Sequence, residues 1–205
     1  VIPDTQRYSG EGAHVKKGKK PQAGPTDNKA FRSRVDWIAA NVEKERIAFV
    51  SHVGDIVDYK NAQQWSFASN LMAKLDGKVP YGISPGNHDI AGSSTDDFNR
   101  WFPRGRYEKE PWYAGGFDGY VNAKGQTVCA GNADSCQLFE AGGMKFVALH
   151  LECNAPKPVL AWADAMLDRY ADRTAIVCTH MYLGYRTREI DMVRRKVKAD
   201  APRPD

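Results

Sequence analysis

The sequence predicts an α/β domain, on three observations. Short apolar runs of strand length alternate with segments whose apolar residues recur at helical spacing. Polar, glycine-containing motifs stand directly after the runs, and no internal repeat or low-complexity tract interrupts the alternation. At 205 residues, with 42% hydrophobic and 26% charged side chains, the chain suits one domain with a sizeable core, and a second independent domain is not expected.

Taken in order, Val1-Ile2-Pro3 reads as the end of a buried strand whose earlier residues, together with any removed leader, precede the chain. Residues 10–27, rich in Gly, Lys and Pro, read as an exposed loop. Asn28 is placed to cap a helix carrying Phe31, Val35, Ile38 and Val42. Residues 47–53 form a nearly continuous apolar run, which suits a strand covered on both faces, and Trp65, Ala68, Met72 and Leu75 mark a second helix. Residues 79–84 read as a strand ending at Pro85-Gly86.

Residues 98–121 carry Trp101, Phe102, Tyr107, Trp112, Tyr113, Phe117 and Tyr120 among glycines and charges. They read as a long irregular excursion whose rings pack as a satellite cluster, the rival reading being a wall of a substrate cleft. Residues 137–140 and 145–151 flank Ala141-Gly142-Gly143 as a hairpin. Leu160, Ala163, Leu167 and Tyr170 make a third helical stripe, and residues 175–178 a last strand before Thr179-His180. His52 and His150 lie inside apolar runs and read as structural.

The formal net charge is +4, and much of the excess sits in Lys16-Lys17-Gly18-Lys19-Lys20 and Arg194-Arg195-Lys196-Val197-Lys198. Neither run has aromatic residues interleaved to stack on bases, so nucleic acid is not the expected partner. No stretch reaches the roughly 18 apolar residues of a membrane span. Cys153 and Cys178 lie in apolar runs as buried thiols, whereas Cys129 and Cys136 flank a turn-rich stretch that would allow a disulfide and, with the abrupt start, favour export.

Two motifs carry chemistry. Gly54-Asp55-Ile56-Val57-Asp58 follows one predicted strand, and Gly86-Asn87-His88-Asp89 follows the next, each opened by a glycine that lets the chain turn. A specified four-residue string arises by chance in about one chain in a thousand of this length, so Gly-Asn-His-Asp is a strong signal and Gly-Asp-x-x-Asp gains weight from its neighbour. Ligands of α/β sheets collect outside the carboxyl ends of strands, where these loops fall. Asp58 and Asp89 each have two readings, a partner that fixes a ring or ligand or a turn carboxylate on backbone amides.

With Val1-Ile2-Pro3-Asp4-Thr5-Gln6 before them and Thr179-His180 after, these motifs resemble the calcineurin-like metallophosphoesterase superfamily over nearly the whole chain. The resemblance implies a four-layer α/β/β/α sandwich of two mixed β-sheets flanked by helices. It implies two divalent metal ions (Mn, Fe, Zn or Mg), with Asp4 and Gln6 on the first, Asp55 bridging, and Asn87 and His180 on the second. His88 would contact the phosphate and the leaving group rather than a metal, and a metal-bound hydroxide would hydrolyse a phosphate mono- or diester. A bridging carboxylate offsets the repulsion of two dications, and an imidazole suits the proton that a departing alkoxide needs. His88 and Asp89 are the candidate catalytic residues. The rival functions are an incomplete fold that only binds, and a nuclease guided by the basic runs.

The sequence departs from the family in two places. Asp4-Thr5-Gln6 stands where many members have Asp-x-His, and an amide oxygen is a weaker donor than imidazole for transition metals. No Gly-His-x-His segment follows between Met181 and Asp205. The chain therefore reads as a single domain, 1–205, lacking the start of its first strand and this last ligand segment, and is expected to bind metal more weakly than a longer parent.

Overall fold

The computed structural model describes residues 1–9, 28–91 and 94–181. The expected loop over residues 10–27, both basic runs and the residues beyond Met181 lie outside the described residues. Helix α1 (Lys29–Asn41) starts where its cap residue predicts, with Asn28 Oδ1 accepting from the Ala30 amide at 2.9 Å. Strand β1 (Val50–His52) is shorter than the apolar run that announces it, and Ile2 lies alongside as a parallel bridge to His52. Helix α2 (Ala62–Met72) is capped by Asn61, whose Oδ1 accepts from Gln64 N at 2.9 Å. Strand β2 (Tyr81–Ile83) pairs in parallel with β1, and both strands end at the polar loops.

The aromatic stretch is more regular than expected. It holds helix α3 (Asp96–Trp101), strand β3 (Tyr113–Gly116) and strand β4 (Tyr120–Val121), the last pairing with β5 (Thr127–Val128) as a small hairpin. Its rings form no satellite of their own, Phe117 and Tyr120 packing with the cluster under α4 and the others with the core of β1 and β2. Phe98, Phe102 and Tyr107 are buried in the same core as Trp65 and Tyr81, with Trp65 edge-on to Phe98 and Phe102 at 6.4 and 6.3 Å between ring centres. Such pairs add to the apolar burial that already stabilises each ring.

Strands β6 (Ser135–Ala141) and β7 (Met144–Leu151) form the expected antiparallel hairpin, and β3 joins β6 antiparallel on its outer side. Helix α4 (Lys157–Arg169) then crosses back so that β8 (Thr174–Thr179) runs parallel to β7, giving a mixed sheet in the order β3-β6-β7-β8. Helices α1 and α2 bury Phe31, Val35, Trp65 and Met72 against β1 and β2, while α4 buries Val159, Ala163 and Met166 against Val147 and Leu149 of β7. The two sheets meet at Phe49, which stacks on Phe139 at 4.5 Å, and at Ser51, whose Oγ lies 2.7 Å from His150 Nε2. Among the described residues no helix is long and apolar enough to cross a membrane. The four cysteines carry free thiols, so the Cys129–Cys136 bond is not formed.

Candidate metal centre

The loops after β1 and β2 and the end of β8 converge on Asp55. Gly54 has φ +100° and Asp55 itself φ +49°, a left-handed conformation that a non-glycine residue holds only when its surroundings impose it. The carboxylate is 3% exposed. Its Oδ1 accepts from the His88 amide at 2.9 Å, and its Oδ2 lies 3.2 Å from His180 Nε2. Gly86 makes room for it, because a Cβ there would fall 2.1 Å from Asp55 Oδ1.

His180 Nδ1 lies 2.9 Å from the Val53 carbonyl, an acceptor that requires the proton on Nδ1 and leaves Nε2 aimed at Asp55. The Asp55 hydrogen bond outweighs burial and lifts the His180 imidazole to about 9. Burial alone would raise the Asp55 carboxyl, but the bonds from His180 and the His88 amide outweigh it and leave Asp55 below the ordinary carboxylate range.

Asp4 and Gln6 sit on the N-terminal segment, tied to this loop by the Thr5 amide donating to Asp55 O at 3.0 Å. Gln6 is folded onto Asp4, its backbone amide on Oδ1 at 3.0 Å and its Nε2 on Oδ2 at 3.1 Å. A cation on Asp4 would take the place of the second bond. Asn87 is exposed at the wall of a cavity. His88 is half-exposed, with Nδ1 3.1 Å from the Asp58 carbonyl and 3.4 Å from its carboxylate, while Lys60 Nζ donates to the His88 carbonyl at 3.0 Å.

Asp89, by contrast, does not reach the His88 ring. Its fully buried carboxylate accepts from the amides of Gly86 at 2.7 Å, Ile56 at 2.9 Å and Val57 at 3.1 Å, locking the two polar loops together. Burial pushes it up to about 7 against the pull of those amides. The residue beside the ring is Asp58. Each of the two aspartates thus takes one of its two readings.

His52 goes further than the structural reading given by its apolar surroundings. Its Nδ1 accepts from the Gly54 amide at 3.2 Å, so Nε2 carries the proton and donates to Thr5 Oγ1 at 3.0 Å. One ring therefore joins the Asp4-Thr5-Gln6 segment to the Asp55 loop. Its position two residues before Gly54 was the only signal, and sequence says nothing of the partner at Thr5.

Among the described residues no three His, Cys, Asp or Glu side chains form a group able to hold a metal ion by themselves. Asp55 and His180 nevertheless form a fitting pair. Two donors each about 2.0–2.2 Å from one cation, at angles between square and tetrahedral, lie about 3–3.5 Å apart, and the observed separation is 3.2 Å.

The family described as Calcineurin-like phosphoesterase matches residues 1–201. The chain is also similar to "Uncharacterized protein YvnB" of Bacillus subtilis (strain 168), 29% identical over 186 residues, an alignment covering 89% of this chain and 12% of that protein. The chain thus spans 12% of the length of this relative. Two glycine-opened loops meeting at a strained, buried aspartate, within a family match that runs through nearly every residue, place the chain in the calcineurin-like phosphoesterase family.

Proposed function

We propose that this protein hydrolyses phosphate mono- or diesters at a centre of two divalent cations. The observation that carries the reading is the Asp55–His180 pair, its oxygen and nitrogen spaced for one cation, with the Val53 carbonyl holding the Nδ1 proton so that Nε2, which sheds its proton when a cation binds, is the ligand atom. Asp4 and Gln6 would hold the first ion, Asp55 both, and Asn87 and His180 the second. When bound, such ions supply Lewis-acid activation of water and of the phosphoryl group.

The chain's own residues do the rest. Val53 O fixes the His180 ring, Asp89 holds the Ile56, Val57 and Gly86 amides, and His52 keeps Thr5 between Asp4 and Gln6 at a set distance from Asp55. Asp58 orients His88 through Nδ1, so that Nε2 meets the leaving oxygen and delivers its proton. Lys60 donates to the His88 carbonyl and so helps hold the backbone that carries the ring.

The test is metal content after exposure to manganese, iron and zinc, with hydrolysis of a chromogenic phosphodiester followed in the same samples. Near two ions per chain are expected, with turnover reduced at least about a hundredfold in Asp55→Ala and in Asn87→Ala. A second reading, a binding domain that keeps the fold without turnover, is favoured by the absence of a three-ligand His, Cys, Asp or Glu group among the described residues. It predicts one ion or none and no hydrolysis under any metal.

A further inference from the structure

A cavity of about 460 Å³ opens beside the Asn87 loop, within the size range of small-molecule sites. Three separate stretches wall it: Asn87 itself, Tyr120 from the β4–β5 hairpin, and Glu152, Asn154 and Lys157 from the end of β7 to the first turn of α4. The walls are held in place. The Cys153 amide donates to the Pro85 carbonyl at 2.9 Å, tying the last stretch to the strand end that carries Asn87. The Glu152 amide donates to Asp134 Oδ1 at 2.8 Å, and the Cys129 thiol lies 3.6 Å from Glu152 Oε1.

Two lining residues, Cys129 and Asn154, hold left-handed φ values of +59° and +57° without being glycine. A non-glycine residue holds such a conformation only where its surroundings impose it, and such positions collect at ligand sites.

The lining chemistry narrows the ligand. Glu152 is 5% exposed and faces the same space as Lys157, so one acidic and one basic group balance and neither a second phosphate nor an ammonium group is favoured. A carboxylate accepts, an ammonium donates, and the Asn154 amide does both, which is what vicinal hydroxyls require. Tyr120 offers an amphipathic ring, a surface on which a flat sugar or base face packs.

We infer that this cavity is the subsite for the alcohol half of the ester and that it takes a polyhydroxylated alcohol, a sugar or a nucleoside, with its hydroxyls on Glu152, Asn154 and Lys157. The inference rests on the phosphoesterase reading for the ester, but the binding of the free alcohol stands apart from it. Asn87, shared by the cavity and the candidate metal set, joins the alcohol to the phosphoryl position.

The experiment has two arms on the protein as it exists. Ligand-observed NMR is run with methyl glucoside, uridine and adenosine against wild type, Glu152→Gln and Tyr120→Leu. Manganese-loaded protein is then assayed on hexose 6-phosphate, a nucleoside 5′-p-nitrophenyl phosphodiester and phenyl phosphate. Binding of at least one free polyol is expected, weakened in both variants, together with a preference for its ester over phenyl phosphate of about tenfold that falls at least about fivefold in Glu152→Gln. Whichever of the sugar and nucleoside arms responds identifies the alcohol.

Polyol binding without turnover of any ester would sink the hydrolase reading and leave the subsite standing. Turnover of phenyl phosphate with no polyol binding and no preference would keep the hydrolase and overturn the subsite. Equal losses on all esters in both variants, or neither binding nor turnover in wild type, would overturn it as well.

Discussion

Gly86 bears most directly on the candidate centre, because the Asp55 carboxylate occupies the volume where its side chain would begin. A Cβ would meet Asp55 Oδ1 at 2.1 Å and the Asp55 amide nitrogen at 2.3 Å, and neither atom can retreat within a buried loop. Gly86→Ala is therefore expected to displace Asp55 and lower turnover about a hundredfold or more, the cost of a displacement near 1 Å at a reacting centre. Steady-state kinetics with parallel metal analysis would check it, and unchanged values would show that the loop yields. The loop motifs brought Asp55, Asn87 and His88 to notice from the sequence alone. Which aspartate serves His88 was not legible, since Asp58 and Asp89 follow equivalent glycines and each partner lies about thirty residues away in the chain.

At the scale of elements, α2 starts at a side-chain cap that fixes where the chain re-enters after the Asp55 loop. Asn61 accepts from Gln64 N, and Gln64 Oε1 in turn accepts from the amides of Asp58 and Tyr59 at 2.9 and 2.8 Å. The cap thus reaches the loop that orients His88. Asn61→Ala is expected to cost about 1 kcal/mol of stability, measured by urea unfolding, whereas Asn61→Asp should retain most of it. Helices α1, α2 and α4 were legible because their stripes, and for α1 the Asn28 cap, are local, whereas the six residues of α3 are too few to show a stripe. The strands β3, β4 and β5 were not legible, because runs of four residues or two carry no usable period, and their pairing with β6 or with one another defines them.

Over the whole molecule, two fully buried histidines stay neutral, His150 joining the two sheets through Ser51 and His52 joining the N-terminal segment to the Asp55 loop. Burial lowers His150 to about 3, and burial followed by the neighbouring His180 and His150 lowers His52 to about 3. Their folded values lie below the unfolded value near 6.5, so in acid the unfolded chain binds protons that the folded chain refuses. Stability present above about pH 6.5 is then lost as pH falls toward 3, by about 1.4 kcal/mol per unit for each histidine. Urea midpoints between pH 7 and pH 5 should fall accordingly, and His150→Gln should flatten the slope. A pH-independent midpoint would mean that neither ring is buried neutral in solution.

The sequence by itself determined the α/β class, three of the helices and the cap at Asn28, the β6–β7 hairpin and the loops bearing Asp55, Asn87 and His88, all of them encoded in short windows by period, glycine and motif. Only the tertiary structure decided that most of the aromatic excursion joins the main core, that His52 links Thr5 to the Asp55 loop, and that Glu152 and Tyr120 wall a cavity beside Asn87. Those pairings depend on how sheets and loops pack across tens of residues, and a side chain's partner at that separation leaves no period or spacing to read.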